Sequence, residues 1–354
     1  MNRVDINDII IPADMPVVEI MKRIDHTGKG IVYVCSDDRT LLGVITDGDV
    51  RRAILRTGKL DMPAEEIMNT APVTLAIHQK EEANSLMMHK FVRSVPLLDD
   101  GGRVVEICFL DGQGGHLQVN RKIDVPVVIM AGGKGTRLQP YTNILPKPLI
   151  PIGEKTITEH IIDRFRDAGC NRYHMIVNYK KHFIKAYFRD NEIDADIDFV
   201  EEERFLGTGG GLRLLLGKVT EPFFFTNCDI LIEEDYSRIM EYHQKSGNLA
   251  TMVCAVKKMS IPYGVISTTE EGRITEIREK PDITSVVNTG FYVLDPAFLE
   301  RIPENGESQI TDIFQACIDR GDKIGMYPVS EDSWMDMGQF DELKKMTEKL
   351  TELE

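Results

Sequence analysis

No two of the six cysteines, Cys35, Cys108, Cys170, Cys228, Cys254 and Cys317, form a CxxC pair, and none stands at a Cys/His ligand spacing. That excludes a disulfide framework and a zinc ribbon, and leaves reduced, mostly buried thiols. Positive charge is also scarce: 42 Lys and Arg face 57 Asp and Glu, a net charge of −15. Nonspecific binding to nucleic acid is excluded, because phosphate backbones reward basic surface. An anionic substrate would need a local cluster of cations, or a metal ion, to overcome the overall field. No apolar run is long enough to span a bilayer, and the opening MNRVDINDII lacks the h-region of a signal peptide, so the expected compartment is cytoplasmic. There is a single Trp and no low-complexity tract; at 42% hydrophobic and 28% charged, the composition is that of an ordinary globular chain. Its 354 residues exceed one small core and predict two domains.

The segment Asp111–Asp124 (DGQGGHLQVNRKID) combines three glycines with charged residues and has no sustained apolar period, which predicts an interdomain linker. The expected organisation is residues 1–118, a linker at 119–124, and a second domain at 125–354 that opens on the apolar strand Val125–Met130. Inside the first part the chain repeats. Val32–Ile45 (VYVCSDDRTLLGVI) and Val95–Cys108 (VPLLDDGGRVVEIC) align without a gap at an offset of 63 residues, each reading strand, Asp/Gly turn, strand. Helical stretches precede them at Val17–Ile24 and Glu82–Phe91. A unit this small cannot bury its apolar face alone, so the two copies are expected to pack on each other.

Gly43–Val50 (GVITDGDV) resembles the end of a CBS module, a regulatory unit found in tandem pairs. The resemblance implies that Thr46 and Asp49 hold the ribose of an adenine nucleotide. Phe109 and Gly112 stand at the matching positions of the second copy, which departs from the pattern. Read from residue type alone, Thr46 and Asp49 are equally a strand-ending turn and a cap for the helix Val50–Leu55.

In the second part, Val128–Pro140 (VIMAGGKGTRLQP) is a buried strand running into a loop with glycines at 132, 133 and 135. Glycine lets backbone N–H groups approach a phosphate without a Cβ in the way, and tolerates positive φ. Arg137 and Lys147 supply two cations near one glycine loop, which suits a triphosphate. The spacing is neither GxxxxGK[ST] nor GxGxxG, since Leu138 stands where the third glycine of the latter would be needed.

The string Ala131-Gly132-Gly133-Lys134-Gly135-Thr136-Arg137-Leu138, with Pro146-Lys147-Pro148, closely resembles the signature of the sugar-phosphate nucleotidyltransferases. The resemblance runs over essentially all of 125–354. It implies an α/β fold, a Rossmann-like mixed and mostly parallel sheet, here preceded by an α+β CBS pair. It also implies nucleotide contacts from Ala131, Gly132, Gly133, Gly135 and Thr136, and from Gly207, Thr208 and Gly209 in Leu206–Leu212 (LGTGGGL). The acidic triplet before that loop makes Glu202 a candidate for the base, although a solvated strand end is the plainer reading of such a triplet. Phe223–Asp229 (FFFTNCD) is an apolar strand ending in an Asp, and carboxyl ends of strands are where ligands sit in open α/β sheets. By resemblance, Asp229 and Asp336 hold Mg²⁺; singly, either is equally a helix cap. Lys280 is implied at the reacting phosphate and Glu279 at sugar hydroxyls. Gly264, Asn288, Thr289 and Asn178 are weaker sugar-side candidates, since Tyr-Gly and Thr-Gly pairs often mark only turns.

The expected activity is Mg²⁺-dependent nucleotidyl transfer from an NTP to a sugar 1-phosphate, with Arg137, Lys147, Lys280, Asp229 and Asp336 as the catalytic set. The pairing of a CBS pair with this transferase resembles guanylyltransferases that make GDP-glucosamine, which favours GTP and a hexosamine 1-phosphate. The alternatives are UTP with an amino-sugar 1-phosphate, or a non-catalytic nucleotide-sugar sensor. No acetylating C-terminal domain is expected after the helix Asp341–Leu350. Expected partners are the two substrates, an adenine nucleotide at the CBS pair, and further copies of the chain in a homo-oligomer.

Overall fold

The computed structural model describes residues 6–351 apart from 91, 93, 110–121, 192, 194 and 305. Phe91, Gly112 and the linker residues 119–121 therefore lie outside the described residues. The chain forms two compact units, one of Met1–Leu117, Val256–Ser285 and Ser330–Asp332, the other of Gln118–Ala255, Val286–Val329 and Ser333–Glu354. Chain order alone assigns 256–285 to the second domain. The strands Ala250–Ser260 and Asp282–Leu294 are long enough to run through the division, so the segment between their outer ends is grouped with the first unit. The end of the expected linker is not loose. Ile123 N–H donates to the Ala168 carbonyl at 2.8 Å, and the Cys170 thiol donates to the Ile123 carbonyl at 3.3 Å. Among the described residues, no helix is long and apolar enough to cross a membrane.

In the first unit the repeat holds to the residue. Ile31–Cys35 and Leu41–Thr46 pair antiparallel with Ile31 opposite Thr46 and a register shift at Val34/Cys35. Ser94–Leu98 and Val104–Phe109 pair with Ser94 opposite Phe109 and a shift at Leu97/Leu98. The helices Val17–Thr27 and Ala83–Lys90 precede the two hairpins. The hairpin tips bond to each other reciprocally: Leu41 N–H donates to Gly102 O at 3.1 Å, and Val104 N–H to Arg39 O at 3.0 Å. Thr40 faces Arg103, its own equivalent, so the copies are related by a local two-fold. Tyr33 and Ser94 share a buried 2.8 Å hydrogen bond between the copies.

The second unit is built on a seven-stranded sheet. Its order is Asp196–Glu201, Arg172–Val177, Val127–Met130, Phe223–Asn227, Asp282–Leu294, Ala250–Ser260, Ile324–Ser330. The first four strands are mutually parallel, and Asp282–Leu294 runs antiparallel to Phe223–Asn227. Continuous apolar strands fit a sheet covered on both faces. Val127, Ile129 and Phe224 point into one core, with Phe165, Tyr236 and Phe291. Val128, Met130, Phe223 and Phe225 point into the other, with Tyr292, Phe298 and Phe314. Successive side chains alternate between faces, so three adjacent phenylalanines anchor both cores at once.

Candidate active site

From Val127–Met130 the chain moves outward to Arg172–Val177 and Asp196–Glu201, then returns to the other side at Phe223–Asn227. Strand order reverses there, and the carboxyl ends of these two neighbouring parallel strands are where an open α/β sheet holds its ligand. The glycine loop leaves one strand and Asp229 leaves the other, with Cys228 N–H bonded to Met130 O at 3.2 Å.

Gly135 stands at φ +63, and a Cβ on it would lie 2.9 Å from Thr142 Cγ2 and 3.2 Å from Lys147 Cβ. Only glycine meets both the backbone angle and the close approach. Gly133, by contrast, has open space around it. Ala131 is buried and its N–H is bonded to Ile176 O; Thr136 and Arg137 are exposed.

A short ribbon joins the two acidic candidates. Ile230–Ile232 pairs antiparallel with Trp334–Asp336, setting Ile230 opposite Asp336, and Met337 N–H donates to Asp229 O at 3.0 Å. Lys147 Nζ forms a mostly buried ion pair with Asp229 Oδ2. Asp336 Oδ1 is buried without a hydrogen-bond partner. Burial, and then the neighbouring Asp229 carboxylate, push the Asp336 carboxyl up to about 6, against the pull of Lys147 and Arg137. Arg137 is drawn in as well: a Cβ on Gly338 would lie 3.0 Å from Asp336 Oδ1 and 3.4 Å from Arg137 Nη1. Two cations and two carboxylates, separated by up to two hundred residues in sequence, thus meet at one place. Among the described residues no group of three or more His, Cys, Asp and Glu gathers, so any ion here would complete its shell from substrate and water.

Glu202 is the second focus. Val177 is the register partner of Glu201, which brings Asn178 and Glu202 side by side just beyond the paired strands. Glu202 is 2% exposed, and neither carboxylate oxygen has a hydrogen-bond partner. Burial pushes its carboxyl up to about 7; the Asn178 side chain and the Leu206 N–H pull weakly the other way without reaching hydrogen-bond geometry. Two glycines make room for it. A Cβ on Gly132 would lie 3.0 Å from Oε2, and one on Gly211 would lie 2.5 Å from Oε1. Asn178, read from sequence as a sugar-side residue, stands here instead, its Cβ 3.2 Å from the same Gly132 position. Gly211 escaped the sequence reading, and its only signal was the unbroken run Gly209-Gly210-Gly211.

In the loop that the resemblance places under the base, Gly207, Thr208 and Gly209 also pack against residues 308–313. Gly207 is at φ +82 with a Cβ position 2.5 Å from Ser308 O, and a Cβ on Gly209 would lie 2.7 Å from Ile313 Cδ1. Gly209 N–H donates to Ser308 O at 3.0 Å. Thr208 Oγ1 bonds Gln309 Oε1 and accepts from Ile310 N–H. These residues need their small size to pack against 308–310. Thr289 is buried at 2% exposure, its hydroxyl donating to Val253 O and accepting from Phe291 N–H. Its hydroxyl proton is thus committed to the backbone of a neighbouring strand. Asn288 is engaged by Tyr292 OH and Gly290 N–H.

In the first unit, Val265–Thr268 and Ile274–Arg278 form a hairpin. Beyond it Glu279 is exposed, and a Cβ on Gly264 would lie 3.0 Å from Glu279 Oε2. Lys280 is held at φ +44, with its N–H donating to Tyr263 O at 3.2 Å. A side-chain-bearing residue in that region is strained, as residues at functional sites often are. Thr46 and Asp49 form a reciprocal capping box: Thr46 N–H donates to Asp49 Oδ2 at 2.9 Å, and Asp49 N–H donates back to Thr46 Oγ1, while the Thr46 hydroxyl also donates to Asp49 Oδ2 at 2.6 Å. The matching Phe109 is covered by the Lys29 ammonium, 4.7 Å from the ring centre.

The nucleotidyl transferase family matches residues 126–352, and the CBS domain family matches residues 2–56. The mannose-1-phosphate guanylyltransferase catalytic subunit beta of Drosophila pseudoobscura pseudoobscura is 31% identical over 219 residues, covering 60% of this chain and 58% of that protein. The UTP–glucose-1-phosphate uridylyltransferase of Synechocystis is also 31% identical, over 241 residues, covering 60% of each chain. Two proteins named for different bases are thus equally similar. This chain spans about three fifths of the length of such relatives. Among solved structures, HddC from Yersinia pseudotuberculosis superposes with a TM-score of 0.51 at 24% identity, over 64% of this chain and 99% of that one, a likeness of fold.

Proposed function

Because this chain belongs to the nucleotidyl transferase family, we propose that it transfers a nucleotidyl group from GTP to a sugar 1-phosphate, releasing pyrophosphate. The observation that carries the choice of base is the buried Glu202 carboxylate with both oxygens unpaired. An ionised carboxylate only accepts hydrogen bonds. Guanine alone among the common bases offers two adjacent donors on one edge, N1–H and the N2 amino group. Uracil offers N3–H flanked by carbonyl acceptors, which leaves one carboxylate oxygen facing an acceptor. The hexosamine class of the sugar, such as glucosamine 1-phosphate, is supported only by the resemblance of the CBS-plus-transferase arrangement.

The reaction requires no nucleophilic side chain, since an oxygen of the sugar phosphate attacks the α-phosphorus in line with the departing pyrophosphate. The protein's part is positioning and charge stabilisation. Arg137 holds the β- and γ-phosphates, and Lys147, released from Asp229, takes the sugar phosphate. Glu279 and Lys280 enter through the resemblance, which assigns them sugar hydroxyls and the α-phosphate. The paired Asp229 and Asp336, with an orphaned buried oxygen between cations, fit a hard divalent ion such as Mg²⁺, which when bound neutralises charge on the phosphates.

A second reading, UTP, is favoured by one observation: Glu202 is held up to about 7. A protonated carboxyl presents one donor and one acceptor, and so matches the N3–H and O4 of uracil. Pyrophosphate release measured with Mg²⁺ across the common NTPs and several hexose and hexosamine 1-phosphates decides between the two. The expected result is the highest kcat/KM with GTP above pH 7. Absence of turnover with every pair would sink the transferase reading, and a pyrimidine preference at pH 8 would sink the choice of base.

A further inference from the structure

The glycine loop and Lys147 are joined by residues 139–146, a segment that the core hardly holds. Tyr141 is 57% exposed and Ile144 75% exposed. Apart from the Tyr141 ring, whose centre lies 5.6 Å from that of Phe340, what ties it down is polar. Thr142 Oγ1 donates to Gly135 O at 2.9 Å, and Tyr179 OH donates to Thr142 O at 3.4 Å. Lys180 Nζ donates to the carbonyls of both Asn143, at 2.6 Å, and Ile144, at 2.7 Å. These carbonyls end the short helix Tyr141–Ile144, where a cation is favoured and acceptors lack helical partners. The same ammonium lies 5.5 Å from the Tyr179 ring centre and 5.9 Å from that of Phe183.

Lys180 achieves this from φ +51, a left-handed backbone at the start of the helix Lys181–Asp190. Glycine would take that angle freely, and a lysine there is strained. Its position is held by what the side chain reaches. From Ile144 to Lys147 the chain runs through Leu145 and Pro146, with Pro148 beyond. Proline fixes φ and restricts the residue before it. Few soft torsions separate the clamped carbonyl from the Lys147 Cα, so holding one positions the other.

We infer that Lys180 is a positioning residue for the transfer reaction, a clamp that sets Lys147 and the glycine loop by capping the carbonyls of Asn143 and Ile144. It also ties the phosphate side to the turn carrying Asn178 beside Glu202. The inference rests on the transferase reading for its kinetic consequence, but not for its structural one.

The test uses the full-length chain. Lys180→Gly removes the ammonium and relieves the positive φ, so the melting temperature is unchanged or raised. Meanwhile kcat/KM for the sugar phosphate falls between about 10- and 100-fold, the range expected of a displacement of an ångström or so. Methylammonium added to Lys180→Gly restores turnover in a concentration-dependent way, and Lys180→Arg, which keeps a cation with several N–H donors, retains most of it. Independently of activity, amide exchange across residues 139–147 accelerates in Lys180→Gly. Unchanged turnover and exchange would overturn the clamp. So would a loss of turnover that follows a lowered melting temperature and resists methylammonium. A wild type silent with all substrates, whose 139–147 segment still loosens in Lys180→Gly, would count against the transferase reading and leave the clamp standing.

Discussion

At the scale of residues, the site is a problem in placing charge. Asp229 and Asp336 lie together with Lys147 and Arg137, and burial first, then the neighbouring Asp229 carboxylate, raises the Asp336 carboxyl. Asp229→Asn and Asp336→Asn should each leave the melting temperature within a few degrees of wild type. Each should cut kcat by roughly 10²-fold or more, as loss of several kcal/mol of transition-state stabilisation requires; steady-state turnover with a folding control checks this. Glu202 predicts a change of base preference with pH. Below about pH 7 its carboxyl gains a proton and loses the two-acceptor edge, so the GTP-to-UTP ratio of kcat/KM should fall by up to about tenfold per pH unit. Glu202→Gln has one donor and one acceptor at every pH, so its ratio should favour UTP and stay flat. The same substitution should affect stability with a definite sign. A carboxyl raised from 4.5 to about 7 in the fold stabilises fully below 4.5, and that contribution is lost as pH rises through 7. Substrate-free Glu202→Gln should therefore outlast wild type to denaturant at pH 8, by at most about 3 kcal/mol, and lose that advantage near pH 4.5. Arg137, Lys147, Asp229 and Asp336 were legible because they belong to a contiguous signature or end an apolar strand. The meeting of Asn178 with Glu202 was not: it depends on Val177 pairing with Glu201, and parallel register cannot be read from one sequence.

At the scale of elements, periodicity carried most of the reading. The strand Phe223–Asn227, the helix Phe340–Thr351 and both hairpins of the repeat fall where apolar pattern and turn residues put them. The glycines of 207–209 show why motif and role can part. Small residues are needed there because helix Ile310–Asp319 and Ser308 pack against them, a long-range contact without a local signal. Thr46 and Asp49 satisfy the helix-cap reading in full, which does not by itself deny them a ribose. With Lys29 covering Phe109 at the matching place, the expectation is one adenine nucleotide per chain, through Asp49. Calorimetric titration of the full chain with AMP, ADP and ATP checks it. Asp49→Ala should weaken binding at least tenfold, with the melting temperature monitored because the cap is lost as well. Two or more equivalents bound, or binding that Asp49→Ala leaves intact, would count against this site.

At the scale of the whole molecule, the −15 charge and the cation-bearing site belong together under the proposed function, since an acidic chain acting on phosphates must confine its cations to where they act. If the nucleotide binds the first unit with different affinity in two states of the protein that differ in turnover, saturating nucleotide will shift transferase kcat/KM by at most the factor that separates those affinities. Equal kinetics with and without the nucleotide would leave the first unit without that influence. The boundary between the domains was only partly legible, because Ile123 looks like loop by composition and is fastened by bonds to residues 168 and 170 that no local pattern announces. The hairpin tips have a further consequence. Leu41 and Arg39 give Val104 and Gly102 the same donor and acceptor that they receive in return. A contact that is its own complement can be made by two identical chains. Two separate chains that each carried one copy could meet through the same contact, and carrying both copies in one chain makes the encounter intramolecular. Within one chain the two halves need not be alike, and Thr46 on one side has Phe109 as its counterpart on the other.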